Sequence, residues 1–127
     1  MKDLMFILPY RAGTLAQLTE ALSRAGVNLQ GCCGQQFGPE GIIHLLVEDA
    51  AAARQAAEQA GFTVRGEREV LVAPIEDRPG GLAALLAPLA DAGIPADLLY
   101  LATESRVVIG VADLERAQAA LRPAAGR

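Results

Sequence analysis

The sequence contains an internal repeat with an offset of 67 residues. Residues 77–94, DRPGGLAALLAPLADAGI, resemble residues 10–27, YRAGTLAQLTEALSRAGV, in sequence. Alignment of residues 10–30 with residues 77–97 leaves eight identical positions, which is more than an alanine-rich composition gives by chance. The identical pairs are Arg11/Arg78, Gly13/Gly80, Leu15/Leu82, Ala16/Ala83, Leu18/Leu85, Leu22/Leu89, Ala25/Ala92 and Gly26/Gly93. Such a repeat predicts two copies of one structural unit within 127 residues.

Both copies carry the same order of predicted elements. An apolar strand leads into a glycine turn, an amphipathic helix with leucines at helical spacing, a hairpin of two strands and an alanine-rich second helix. The first copy predicts strands in 3–9, 27–37, 41–49 and 61–65 and a second helix over 50–60; the second predicts strands in 68–75, 94–104 and 105–113 and a second helix over 114–122. Gly26 and Gly93 are predicted to end the first helices. Pro88, inside the helical stripe, is predicted to bend the second of these helices or to loosen its last turn.

The element order βαββαβ predicts an α+β fold of two tandem ferredoxin-like units, each an antiparallel sheet with its helices on one face. We expect units at 1–66 and 67–123 and a flexible tail at 124–127. The second unit lacks a clear last strand, so its first strand loses a neighbour. We expect the partner chain or the segment 61–67 to cover that edge, since a bare apolar edge is an aggregation hazard.

The sheet of the first unit is predicted to be apolar on both faces. Ile43, Leu45 and Val47 are assigned to the helix-covered core, as are Val107, Ile109 and Val111 in the second unit. The opposite face then carries Met5, Ile7, His44 and Leu46. In a sheet with one solvent-exposed face, apolar and polar residues alternate more regularly along each strand. We therefore expect a homodimer in which a second sheet covers this face.

Composition excludes several classes of function. Fifteen acidic and eleven basic residues give a net charge of −4 without a basic run, which disfavours nucleic acid and anionic membranes as partners. The apolar run from Leu4 to Leu8 is too short for a secretion signal, so we expect a cytoplasmic protein. Cys32 and Cys33 are adjacent and His44 is the single histidine, which leaves too few ligands for a zinc site. No metal and no cofactor are predicted, and the cysteines are interpreted as packed small hydrophobes.

The glycine turns are the candidate binding sites. A strand that ends in a glycine turn and opens a helix leaves backbone N–H groups unpaired at the positive end of the helix dipole. Such a turn can bind a small anion or a carboxylate. Gly80 and Gly81 would let a ligand approach the backbone closely. A good turn and helix start without any ligand is the plainer interpretation of the same residues.

The second turn resembles the signature of the ACT domain, in which Asn or Asp, then x-Pro-Gly, joins the first strand to the first helix. Asp77, Pro79, Gly80 and Leu82 match that pattern. The first turn departs from it, because Tyr10 replaces the Asn or Asp and Ala12 replaces the proline, while Gly13 and Leu15 remain. The resemblance covers essentially the whole chain as two ACT units in tandem, similar to stand-alone tandem ACT proteins of bacteria.

The resemblance implies a regulatory module that binds an amino acid or a similar small effector and passes the signal to a partner enzyme. It places the effector between the glycine turn of one unit and the second strand of the other. The implied ligand-binding residues are Arg11, Gly13, Thr14, Leu15, Asn28, Leu29, Gln30, Asp77, Arg78, Pro79, Gly80, Gly81, Leu82 and Asp97. With its proline and acid, the second turn is expected to be the stronger site.

Two alternatives remain open at this stage. The first is that the chain is a dimerisation and protein-interaction module that regulates a partner enzyme without any ligand. The second is that Arg11 and Arg78 are solvated surface residues and bind no carboxylate. An enzyme of the acylphosphatase type is disfavoured, because it needs an asparagine that positions water and no asparagine recurs in the two copies. A nucleophile–His–acid set is disfavoured by the position of His44 in an apolar strand. We expect no enzymatic activity.

Overall fold

The computed structural model describes residues 1–122, so the tail predicted at 124–127 lies outside the described residues. Its contacts divide the chain into two compact units, Met1–Glu69 and a second that begins at Val70. No helix in the described part is long and apolar enough to cross a bilayer.

The first unit is a complete ferredoxin-like sandwich. Its elements are β1 Lys2–Pro9, α1 Thr14–Arg24, β2 Gly31–Phe37, β3 Glu40–Val47, α2 Ala50–Gln59 and β4 Val64–Glu69. The strands pair antiparallel in the order β4-β1-β3-β2. The fourth strand thus lies beside the first, as the predicted βαββαβ order requires, and the predicted fold class is confirmed.

The second unit repeats this plan without a last strand. Its elements are β5 Leu71–Pro74, α3 Gly81–Asp91, β6 Leu98–Ala102, β7 Arg106–Gly110 and α4 Leu114–Leu121. The three strands pair antiparallel in the order β6-β7-β5. Within residues 70–122, β5 therefore has a strand neighbour on one side only, as predicted.

The strand that ends the first unit differs from the prediction. We expected it in 61–65, whereas β4 is Val64–Glu69 and pairs with β1. The reason is the end of α2: Gly61 has φ 90°, and the N–H of Phe62 donates to the carbonyl of Ala57 over 2.9 Å. This cap holds 61–63 at the helix end, and the strand begins after it. Residues 68 and 69, predicted to open a strand of the second unit, lie in β4, whose charged residues suit an edge strand.

The helix-covered cores are those predicted. Ile43, Leu45 and Val47 are buried with Leu4, Phe6, Leu8, Leu18 and Leu22 in the first unit. Val107, Ile109 and Val111 are buried with Leu71 and Leu89 in the second. Burial of about ten aliphatic or aromatic side chains per unit, each worth about 1.5–3 kcal/mol, supplies the main stabilisation.

Both first helices end as predicted. Gly26 and Gly93 have φ of 76° and 72°. The next residue in each copy reaches back to a leucine carbonyl, Val27 to Leu22 over 3.0 Å and Ile94 to Leu89 over 2.9 Å. The glycine N–H donates to a second carbonyl in each helix, from Gly26 to Ser23 over 2.9 Å and from Gly93 to Ala90 over 3.0 Å. Two such bonds at one helix end make a Schellman motif, which satisfies carbonyls there. Pro88 does not shorten its helix, because α3 runs to Asp91 and has the same eleven residues as α1.

The start of α3 is folded tightly onto the preceding chain. Gly81 is buried, and its N–H donates to the carbonyl of Arg78 over 3.0 Å. A Cβ atom at Gly81 would lie 2.0 Å from the backbone oxygen of Glu76. The equivalent residue of the first copy, Thr14, carries a side chain. The first turn is therefore more open than the second at this position.

We expect Gly81→Ala to destabilise the second unit by about 1–3 kcal/mol, the usual cost of forcing extra atoms into a packed site. The thermal midpoint followed by circular dichroism measures the effect. Ala83→Gly, at an exposed position of the same helix, is the control and should cost about 1 kcal/mol through helix propensity alone. An unchanged midpoint for Gly81→Ala would show that this turn opens freely.

An ion network joins β1, α2 and β4. The ammonium of Lys2 lies 3.1 Å from one carboxylate oxygen of Glu67, and Nη2 of Arg54 lies 3.0 Å from the other. Hydrogen bonds from Lys2, and then from Arg54, lower the pKa of Glu67 below its ordinary value of 4.5. A depressed carboxyl pKa stabilises the fold above the unfolded pKa, and this stabilisation is lost as the pH falls through the folded pKa.

We expect Glu67→Gln to be less stable than the natural protein at neutral pH. The difference should close as the pH falls below about 4.5, where the natural carboxylate takes up its proton, and it should narrow in high salt because the pair is exposed. Denaturation midpoints measured across this pH range test the prediction. Glu40→Gln, at a carboxylate without an ion pair within residues 1–122, is the control. A pH-independent difference would contradict the prediction.

Candidate functional site

The two glycine turns have the same backbone conformation. Gly13 and Gly80 precede α1 and α3 with φ of 90° and 85°, in the left-handed region that favours glycine. In each turn the N–H of the arginine reaches back two residues, from Arg11 to Pro9 over 3.0 Å and from Arg78 to Glu76 over 2.9 Å. The departures of the first copy from the ACT motif thus leave the left-handed glycine and the hydrogen bond of the arginine N–H in place, while the start of α1 stays more open than the start of α3.

The backbone donors of the two turns are not equally available. The N–H groups of a first helical turn have no partner within the helix and can receive an anion. In the second copy the N–H of Gly81 is already bonded to Arg78, so the predicted donor set of Gly80, Gly81 and Leu82 loses one member. The missing side chain of Gly81 makes room for the backbone of Glu76, so it does not leave room for a ligand.

The arginines of the two turns differ in their partners. Nε of Arg78 donates to the Glu76 carboxylate, and its Nη1 donates to the Pro79 carbonyl over 3.2 Å. In the first copy Pro9 stands in the place of Glu76. Within residues 1–122, the exposed Arg11 side chain has no hydrogen bond and no ion pair. Arg78 therefore has an exposed carboxylate partner that competes with an anion, whereas Arg11 has none within residues 1–122.

A groove of about 450 Å³ lies beside the first turn. Its lining residues come from the end of β1, the start of α1 and the facing parts of β2 and β3: Leu8, Pro9, Tyr10, Arg11, Thr14, Leu15, Gly34, Gln35, Gln36, Gly41 and Ile43. Its size is in the range of small-ligand sites. Below we call it the first-turn groove.

Gly41 explains why the first-turn groove exists. Gly41 pairs with Leu8, and Gly34 pairs with Ile43, all at positions that face the helices. The Ile43 side chain fills the space beside Gly34, whereas the space beside Gly41 stays open beneath the start of α1. A Cβ at Gly41 would meet only backbone oxygens at 3.9 Å. A larger residue at position 41 can therefore fill the groove without a clash of its Cβ.

Thr14 places an unsatisfied polar atom at the same site. The residue is 3% exposed, and its Oγ1 has no hydrogen-bond partner within residues 1–122. Leaving a buried hydroxyl unpaired costs about 1–3 kcal/mol. Thr14 is the first residue of α1 and lines the first-turn groove. We predicted Thr14 only as a backbone donor; its side chain is the feature that sequence reasoning missed.

The structure brings some predicted site residues together and separates others. Arg11, Thr14 and Leu15 line the first-turn groove, and Gly13 caps the helix above it. Asn28 and Gln30 line a different hollow of about 250 Å³ near the start of α2, and Leu29 packs against the core of the first unit.

In the second unit, the predicted residues of the turn are mostly at the surface. Asp77, Arg78, Pro79 and Gly80 are exposed, and Leu82 packs against the core. Asp97 is exposed and its N–H donates to the carbonyl of Gly110 over 2.8 Å.

The helix-free face of the first sheet holds a buried polar pair. Nδ1 of His44 lies 2.8 Å from Oδ2 of Asp3, and the Asp3 side chain is 2% exposed. Asp3 as the partner of His44 was missed, although Asp3 lies on the same strand face as Met5. Cys33 pairs with His44 across the strands and is half-buried. Cys32 is exposed, so its interpretation as a packed residue is wrong.

Within the described chain, no group of three or more His, Cys, Asp or Glu side chains is arranged to hold a metal ion. The polar groups at the first turn are the Arg11 guanidinium, the first amides of α1 and the Thr14 hydroxyl.

Solved structures share this fold over nearly the whole chain. The protein BT0572 from Bacteroides thetaiotaomicron superposes with a TM-score of 0.84 at 27% identity, covering 94% of this chain and 85% of that one. The regulatory subunit of aspartate kinase from Thermus thermophilus gives a TM-score of 0.70 at 22% identity, covering 95% and 86%. The same subunit from Thermus flavus gives 0.67 at 19% identity, covering 95% and 87%.

No protein-family model matches the sequence, and no curated protein does. The fold is therefore assigned from the structural similarity, together with the motif in residues 77–94. The chain has the fold of a tandem ACT-domain protein.

Proposed function

We propose that this protein is a non-catalytic regulatory module that binds a small carboxylate effector in the first-turn groove. The observation that carries the proposal is Arg11, a guanidinium without an ion pair in residues 1–122, at the edge of a groove that also meets the start of α1. A guanidinium binds a carboxylate through parallel hydrogen bonds, and a helix start adds a favourable dipole.

Thr14 supports the same assignment. Its buried hydroxyl has no hydrogen-bond partner among residues 1–122, and a carboxylate oxygen is a strong acceptor for it. The body of the ligand would then lie along Leu8 and Ile43, which are buried apolar residues of the same groove. An apolar wall with a few polar groups at one end is the usual composition of a small-molecule site.

This proposal ranks the first turn above the second, the reverse of the expectation from the motif. Asp77 and Pro79 make the second turn the better motif match. However, Arg78 is paired with Glu76, and the N–H of Gly81 is hydrogen-bonded within the turn. The stronger binding at the Gly80–Leu82 turn, with Asn28 and Gln30 opposite, stays a prediction. The experiment below separates the two rankings.

The regulatory role draws support from the fold. Two of the similar solved structures are regulatory subunits of aspartate kinase. At their level of identity this similarity concerns the fold, so a partner enzyme for this chain is part of the proposal. The histidine–aspartate pair lies on the sheet face opposite the first-turn groove, away from the proposed ligand.

We expect Arg11→Gln to weaken binding of the effector by at least about tenfold, because a lost charge-assisted hydrogen bond costs about 1.5–3 kcal/mol. Arg78→Gln, the matched change in the other turn, should leave binding nearly unchanged. Calorimetric titration of the full chain with the standard amino acids and with short monocarboxylates, including isovalerate and isocaproate, supplies the measurement. The reverse ranking would favour the second turn, and no binding of any compound would favour the ligand-free interaction module.

The neighbours of the arginines offer a reciprocal test. Pro9→Glu gives Arg11 the partner that Arg78 has, so it should weaken carboxylate binding, while Pro9→Gln serves as the uncharged control. The size of the Pro9→Glu effect should fall with added salt, because the competition is electrostatic. Equal effects of glutamate and glutamine at this position would point to a role of the proline itself.

We further propose that the protein is a homodimer through the helix-free face of the first sheet. Met5, Ile7 and Ile42 are half-buried there in the single chain, and a second copy would complete their burial. Leu46, which was expected to contribute, is already 0% exposed and has nothing further to bury.

Ile7→Glu should shift this dimer towards monomer, because a carboxylate would be buried without a partner. Gln55→Glu, at an exposed position of α2 on the other face, should not. Light scattering at micromolar concentration measures both variants and the natural protein. A monomeric natural protein would refute the dimer.

A further inference from the structure

We propose that the first-turn groove selects carboxylates with an apolar body and no ammonium group, in preference to the amino acids of the same carbon skeleton. The ligands would be small branched-chain or aromatic carboxylic acids. This inference rests on the proposed function and adds the chemical class of the effector.

The first-turn groove contains a cation but no anion. Of its eleven lining residues, Arg11 is charged and none is an aspartate or glutamate. The start of α1 adds the positive end of a helix dipole at the same place. The remaining polar side chains are those of Tyr10, Thr14, Gln35 and Gln36, which are neutral. The field in this groove therefore favours a negative group and opposes a positive one.

In an α-amino acid the ammonium is attached to the carbon that carries the carboxylate. When the carboxylate reaches Arg11, the ammonium must enter the same positive region. Neutral amide and hydroxyl oxygens can accept its hydrogen bonds, but only an acidic acceptor would also offset its repulsion by Arg11. The ACT motif has an acid or an amide at that point, as Asp77 has in the second turn, but the first turn has Tyr10. The absence of this one carboxylate makes an ammonium costly and leaves a simple carboxylate unaffected.

The far part of the first-turn groove fits an apolar chain. Leu8 and Ile43 are buried apolar residues, and Leu15 is a half-exposed leucine at the rim. Gly41 keeps the space beside it free of side chains, whereas the Ile43 side chain fills the space beside Gly34 and forms part of the apolar wall. A branched or aromatic body can therefore lie against the sheet while its carboxylate meets Arg11. A short acid such as acetate would leave this part unfilled and bind weakly.

The test compares ligands that differ only in the ammonium group. The full chain is titrated by calorimetry with isovalerate and valine, isocaproate and leucine, and hydrocinnamate and phenylalanine. In each pair we expect the carboxylate without ammonium to bind at least about tenfold more tightly, the factor that an uncompensated charge readily produces. Amino acids that bind as tightly as their partners would overturn the inference.

Three variants and one control, Tyr10→Phe, link the selectivity to the groove. Gly41→Val should abolish binding by filling the groove, with the fold retained because the new Cβ has ordinary contacts. Thr14→Val should weaken binding yet raise the thermal midpoint, because it removes an unpaired buried hydroxyl. Tyr10→Asp should restore an acceptor and shift the preference towards the amino acid in every pair, whereas Tyr10→Phe should not.

The outcomes separate the inference from the proposed function. If the amino acids bind best and Gly41→Val abolishes that binding, the groove is the effector site and the inferred ligand class is wrong. If no member of any pair binds, both the proposed function and the inference are overturned. If the carboxylates bind best but Gly41→Val has no effect on a folded chain, the site is not this groove and both are again overturned.

Discussion

Both units depend on one backbone constraint, a left-handed glycine between the first strand and the first helix. Gly13 and Gly80 turn the chain so that the helix starts directly after the strand and lies over the sheet. The leucines of the helix then reach the core, and the first amides of the helix become available at one end of the sheet. Packing and binding chemistry thus start at the same residue, and a side chain there would strain the positive φ in either copy.

The duplication shows how few residue exchanges separate two glycine turns whose central glycines have nearly the same φ. A glutamate in one copy and a proline in the other decide whether the turn arginine has an ion partner. A glycine in one copy and a threonine in the other decide whether the helix start is closed onto the preceding backbone or carries a buried hydroxyl. The two turns therefore differ in side-chain charge and volume and in one backbone hydrogen bond, from Gly81 to Arg78.

Much of the fold followed from the sequence because it rests on local rules. The repeat, the leucine spacing and the glycine ends predict both units, and the alternation on β3 predicts which of its residues face the helices. The bounds of β4 were missed for two reasons: the helix-end signal at Gly61, which is local, was not applied, and the pairing of Glu67 with Lys2 of β1 and Arg54 of α2 joins residues distant in sequence. The site was harder still. A motif records which residues are present, but the pairing of Arg78 with Glu76 and the burial of Thr14 are properties of the folded turn.

The unpaired hydroxyl of Thr14 has a consequence for how an effector would be sensed. A chain that keeps a polar group unsatisfied folds with less than its attainable stability. A ligand that completes the missing bond would couple its own binding to the conformational equilibrium of the first unit, and by mass action the folded population would rise with ligand concentration. The conformational flexibility of the first unit would then decrease as the effector concentration rises. A partner could respond to the reduced mobility of α1 without contacting the ligand itself.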